Sequence, residues 1–216
     1  MELLIVIAIM GVLTTLSMTA FAALMSSNHL NEATAIVQGQ LELARQTAKT
    51  LNRSVQLRLY QDQNNTSSAP SIDSLQIVVP AENSTTESDE PIEKPILLPQ
   101  STIIADSTND LSLTAFSNSG PPSNPPTSNS FNPLPPANFI YCYILTFSTT
   151  GAITTPNASG TAVSPAPNTS TVYCSLSLVP QTQYRAQGSS AKVGAMHNYA
   201  TFYLNSINGT YSVTRP

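Results

Sequence analysis

The sequence predicts an α+β chain, with one long N-terminal helix packed on an antiparallel β-sheet head that carries long polar loops. Three observations predict it. Residues 3–25 contain no charged side chain. From Leu30 to Leu51, apolar residues recur at intervals of three and four, the spacing of one helix face. After Arg53, short alternating segments are separated by turns and polar tracts, the pattern of strands.

The length of 216 residues suits one domain plus an anchor. Only 9% of the residues are charged, far below the roughly 25% usual for soluble domains. Such a surface, rich in Ser, Thr and Asn, fits an exported protein better than a cytosolic one. The net charge is −4 and no basic cluster occurs, so nucleic-acid binding lacks its electrostatic footprint.

The uncharged run from Leu3 to Met25 would make about 34 Å of helix at ~1.5 Å per residue. The hydrocarbon core of a bilayer is about 30 Å thick. Residues 1–25 are therefore expected to form a transmembrane or filament-core helix. A secretory signal peptide is the competing reading, and Ala20-Phe21-Ala22 resembles its cleavage site. However, no Lys or Arg precedes the run, and the run is long for a signal core. Glu2 stands at the lip of this helix. An acid costs roughly 3 kcal/mol or more at the centre of a bilayer, but little near the headgroups and the positive end of the helix dipole.

Residues 26–52 read as an amphipathic continuation. Leu30, Ala33, Val37, Leu41, Ala44, Ala48 and Leu51 form the apolar stripe, while Glu32, Glu42, Arg45 and Lys49 fall on other faces. No proline occurs before Pro70, and Gly39 is only a weak point. One helix from about 2 to 51 is expected.

Residues 53–216 read as a β-rich head. Ser54–Tyr60 alternates as a half-buried strand should. Leu75–Val79, Ile96–Ala105, Leu111–Phe116, Phe139–Ser148, Ala152–Thr154 and Thr171–Val179 are further strand candidates. Tyr199–Leu204 and Gly209–Thr214 could pair through the turn at 205–209. Residues 61–73, 80–95, 117–138 and 155–170 read as polar loops, and 117–138 is too poor in apolar residues to bury itself. Cys142 is expected to share the core face of its strand with Ile140 and Ile144, and Cys174 to share its face with Leu176 and Leu178. The two cysteines are either a disulfide, which an oxidising compartment permits, or two small buried residues.

Glu2-Leu3-Leu4-Ile5-Val6-Ile7-Ala8-Ile9-Met10-Gly11-Val12-Leu13 resembles the N-terminal methylation motif of type IV pilins and type II secretion pseudopilins. The resemblance implies a pilin-like fold. Glu2 is then the assembly residue, whose carboxylate pairs with the N-terminal amine of a neighbouring subunit. Leu3, Leu4, Ile5, Val6, Ile7, Ile9, Val12 and Leu13 become membrane and filament-core residues. The family's leader, its cleavage-site Gly and its first mature residues do not precede Glu2, and either a start placed downstream of the true one or a trimmed chain is expected. Thr19 stands where many members have a helix-kinking Pro, so a continuous helix is expected.

The segment from Leu43-Ala44-Arg45-Gln46-Thr47-Ala48 to Asn52-Arg53-Ser54-Val55-Gln56-Leu57 is similar to the helix-to-strand junction of H-type (FimT-like) minor pseudopilins. Shorter pieces resemble the Verru_Chthon cassette protein D group: Arg58-Leu59-Tyr60, Ile96-Leu97-Leu98-Pro99, residues 146–151, Ser175-Leu176-Ser177-Leu178-Val179 and Val213-Thr214-Arg215-Pro216. The partners implied are other pilin or pseudopilin subunits, a prepilin peptidase, the assembly platform and the bacterial inner membrane, with the head in the periplasm or outside.

No G-x-S-x-G, H-E-x-x-H, P-loop or dinucleotide fingerprint occurs, so no enzyme and no cofactor is expected. Glu82, Glu87, Asp89, Glu90 and Glu93 do not match an EF-hand spacing; they read as a solvated loop, and no metal is expected. His29 is expected at the membrane interface, and His197 at the surface or half-buried. The reading is a structural minor pseudopilin. The alternative is a signal-anchored extracytoplasmic domain that recognises carbohydrate or cell-wall polymer through its Tyr- and Asn-rich loops.

Overall fold

In the computed structural model of the chain, the residues described are 2–62, 71–81, 89–99, 101–105, 139–156, 162–163, 173–187, 196 and 198–216. A single helix, α1, runs from Glu2 to Leu51. At ~1.5 Å per residue it is about 75 Å long. It ends in a Schellman motif: Asn52 takes the left-handed conformation at φ 51°, and Arg53 N–H donates to Ala48 O at 3.3 Å. Asn is the usual substitute for Gly at that position. Lys49 sits in the last turn, where its charge complements the helix dipole.

Eleven strands follow among the described residues, and every pairing is antiparallel. They are β1 (Val55–Asp62), β2 (Ser71–Val79), β3 (Glu90–Pro91), β4 (Ile96–Leu97), β5 (Thr102–Ala105), β6 (Phe139–Phe147), β7 (Ile153–Pro156), β8 (Ala162–Val163), β9 (Tyr173–Pro180), β10 (Ala200–Asn205) and β11 (Tyr211–Thr214). The sheet order is β11-β10-β9-β5-β2-β1-β6-β7-β8, and β3 and β4 also pair with β2. A short helix, α2 (Gln181–Gln187), follows β9 directly.

The helix stripe and one sheet face make the main core. Leu30, Ala33, Val37, Leu41, Ala44 and Ala48 meet Leu57, Leu59, Leu75, Ile77, Leu145, Phe147, Leu176 and Phe202. Small Ala residues on the helix let the sheet approach it closely. Leu51, expected to continue the stripe, is 49% exposed. It lies in the final turn, just before the chain leaves the helix at Asn52.

The second face of the sheet is covered too. Ile103, Ala105, Val179, Tyr184 and Met196 form a smaller cluster there, with Tyr199 packed against it. This corrects the expectation of a half-buried first strand: Arg58 and Tyr60 are as buried as Leu57 and Leu59. Both of these side chains are covered rather than solvated.

Other differences have local causes. The strand expected over 96–105 divides at Pro99, where Thr102 N–H closes a turn on Pro99 O at 3.1 Å. Pro91, Pro95 and Pro99 each lack the N–H that a continuous ladder needs, so β3, β4 and β5 pair with three successive places on β2. The expected loop over 155–170 contains the end of β7 and all of β8. The helix α2 was not anticipated, because a single apolar residue, Tyr184, anchors it and seven residues show no period. The strand candidate 111–116 and the loop 117–138 lie outside the described residues.

The sheet curls around the C-terminal part of α1. Ile153 N–H, at the start of β7, donates to Ser206 O in the β10–β11 turn at 2.8 Å. This bond ties together two flanks that lie far apart in the sheet order. Beneath it, Arg45 Nε donates to Asn208 O at 3.1 Å. The fit is close: a Cβ added at Gly209 would lie 2.0 Å from Gly151 O.

Candidate functional site

The helix has two unlike halves. From Leu30 onward one face is buried under the sheet. Before that point no described side chain of α1 joins the core, and this stretch is the shaft of the helix. Its described apolar side chains are exposed on all sides: Ile5, Val6, Ile7, Ile9, Met10, Val12 and Leu13, then Leu24 and Met25. Met10 is 65% exposed and Val12, on the opposite side of the helix, 60%. A helix that is apolar all round is normally buried in a membrane or a bundle. Thr14 does not interrupt this surface with a free hydroxyl, because its Oγ1 donates to Met10 O at 2.7 Å. That internal bond lowers the desolvation cost of placing Thr14 in apolar surroundings.

The structure places Glu2 at the first residue of α1. The side chains of Glu2, Leu3 and Leu4, and those of 8 and 15–23, lie outside the described residues. Among the described residues no helix is long and apolar enough to cross a membrane.

Where the shaft enters the head, two contacts fasten it. His29 Nδ1 lies 3.0 Å from Ser101 Oγ, and Arg215 donates to Asn31 Oδ1. His29 is thus half-buried against the β4–β5 turn. The sequence carries no signal for this contact, since its partners are 72 positions apart. His197 lies outside the described residues.

The second polar constellation covers the outer face of β1 and β2. Arg58 donates from Nε and Nη2 to Gln56 Oε1, at 3.1 and 2.8 Å, and forms an ion pair with Asp89. The other Asp89 oxygen accepts from Ala81 N–H at 2.9 Å, so one carboxylate joins the two ends of the 81–89 segment. Tyr60 Oη donates to Gln76 Oε1 at 3.0 Å, and Gln76 Nε2 donates to Glu93 O at 3.1 Å. Asp89 and Glu93, read as members of a solvated acidic loop, are therefore half-buried cover for the sheet. Glu90 is exposed. Among the described residues no three His, Cys, Asp or Glu side chains come together in a way that could hold a metal ion.

Among the described side chains of β6, those in the core are Leu145 and Phe147 rather than the expected face of Ile144, which is only half-buried. Cys142 pairs in register with Tyr60 on β1, and Cys174 pairs with Leu204 on β10. Their strands, β6 and β9, are not neighbours in the sheet, and both cysteine side chains lie outside the described residues.

No family model, no curated protein and no solved structure matches the chain.

Proposed function

We propose that the chain is a structural minor pseudopilin. In this reading it is held in the inner membrane and then assembled into a type II secretion or type IV pilus-like filament by packing of its N-terminal helix. The observation that carries the proposal is the exposed apolar surface of the shaft from Ile5 to Leu13, with Leu24 and Met25. Burying that surface removes apolar area from water at roughly 25 cal/mol per Å², and an exposed patch larger than a few hundred Å² marks an interaction site. A membrane would accept the shaft before assembly, and the shafts of neighbouring subunits would accept it afterwards.

Glu2 supplies registration in this proposal. Its carboxylate, drawn into a low-dielectric bundle, pairs with the N-terminal amine of the next subunit, so that each charge offsets the desolvation of the other. The pilin-like fold, the prepilin peptidase, the assembly platform and the companion subunits belong to the same proposal. They rest on the resemblance of residues 2–13 together with the long single helix.

The test is Glu2→Ala in cells that assemble the filament. Membrane insertion is expected to stay intact, because the uncharged run Leu3–Met25 is unchanged. Incorporation into filaments is expected to be lost. Incorporation at the wild-type level would refute the assigned role.

A further inference from the structure

Ser101 occupies a backbone conformation that serine avoids. Its φ is +80°, and the one other positive φ outside glycine among the described residues belongs to the helix-capping Asn52. Ser101 lies third in the turn that Thr102 N–H closes on Pro99 O. A type II turn places φ > 0 at that point and prefers Gly there. The conformation costs of the order of 1 kcal/mol or more for a side-chain-bearing residue, so something must repay it.

Both polar ends of Ser101 are engaged by other elements. Its Oγ meets His29 Nδ1 at 3.0 Å, and its carbonyl accepts from Gln181 N–H, the first residue of α2, at 2.7 Å. His29 stands one residue before Leu30, the first fully buried residue of the helix stripe. A glycine would satisfy the turn and could not make the contact with α1.

We propose that Ser101 and His29 form a clasp that fixes the apolar shaft against the head at the point where the helix emerges. The clasp joins α1, the β4–β5 turn and α2 in one place, so shaft direction is coupled to the outer cover of the sheet. The inference stands on this geometry alone, whatever the shaft packs against.

Hydrogen–deuterium exchange on the full chain in detergent micelles tests it, read at the amides of 26–33. Ser101→Gly relieves the turn, and His29→Ala raises helix propensity, so on local grounds neither variant would speed exchange. The clasp requires the opposite: both should speed exchange there by about five-fold, the factor one side-chain hydrogen bond contributes to a local opening. His29→Asn, whose short polar arm can still reach the serine hydroxyl, should exchange more slowly than His29→Ala. The unfolding midpoint of the head serves as control and should move little in Ser101→Gly. Unchanged or slower exchange at 26–33 in Ser101→Gly would overturn the clasp. Equal rates in His29→Asn and His29→Ala would overturn it as well.

Discussion

Individual residues hold the head closed at two places, and each makes a quantitative prediction. Gly209 has φ +66°, and its Cα faces the carbonyl oxygen of Gly151 so closely that an added Cβ would lie 2.0 Å away. Backbone cannot yield there as a side chain could. Gly209→Ala is expected to destabilise the head by about 2 kcal/mol or more, measured by the urea midpoint at unchanged slope. Gly151 also has φ above zero, but its nearest obstacle is the flexible end of Lys49. Gly151→Ala should cost about 1 kcal/mol. An equal cost at the two glycines would show that conformation rather than the close approach decides.

The second place is Arg58, 2% exposed, with Asp89 at 20%. Removing one partner of such a pair leaves a buried charge, which costs about 3–5 kcal/mol when burial is complete. Partial exposure of Asp89 lowers this, and Asp89→Ala is expected to cost about 2 kcal/mol. Replacing Arg58 with Met in the same chain should recover part of the loss, because the stranded guanidinium is then gone. A double-mutant cycle by chemical denaturation measures that recovery. If the two substitutions simply add, the ion pair is not coupled.

At the scale of elements, α1 shows how much a linear pattern contains. The intervals of three and four from Leu30 to Ala48 named every fully buried apolar position on that part of the helix, since a helix turns at a constant rate whatever packs on it. Leu41→Ala should cost about 2–5 kcal/mol by leaving a cavity. Leu43→Ala, on the exposed side, should change stability by less than about 0.5 kcal/mol. Thermal unfolding of the two variants compares the faces directly; equal losses would contradict the packing.

The strands were less legible. In β1 the alternation is real, yet Arg58 and Tyr60 are buried opposite Leu57 and Leu59. A strand repeats every two residues and says nothing about what covers its second face. That cover comes from the segment around Asp89 and Glu93, 31 residues from Arg58 in the case of Asp89, and its acidic composition resembles that of a solvated loop.

For the whole molecule, the described core and the exposed apolar residues of the shaft occupy different lengths of α1. The core begins at Leu30 and includes no described residue before it. A chain lacking residues 1–24 should therefore keep the unfolding free energy of the head to within about 1 kcal/mol; on the function proposed above it should also no longer bind vesicles. Denaturant titration and sedimentation with vesicles measure the two quantities. A marked fall in stability would mean that the shaft packs on its own head.

The candidate site divides in the same way. The shaft was legible because an uncharged run is a property of neighbouring residues. The His29–Ser101 contact and the Arg58–Asp89 pair were not, because their partners meet only when the chain folds back. By itself the sequence determined one helix of fixed length, its apolar stripe and the places of the principal strands, all set by local periodicity and by proline and charge. Only the tertiary structure decided which polar groups are buried, where the strand over 96–105 breaks, and how the bond from Ile153 to Ser206 closes the sheet around the helix. Those outcomes depend on contacts between segments distant in the chain, and no local period encodes a distant partner.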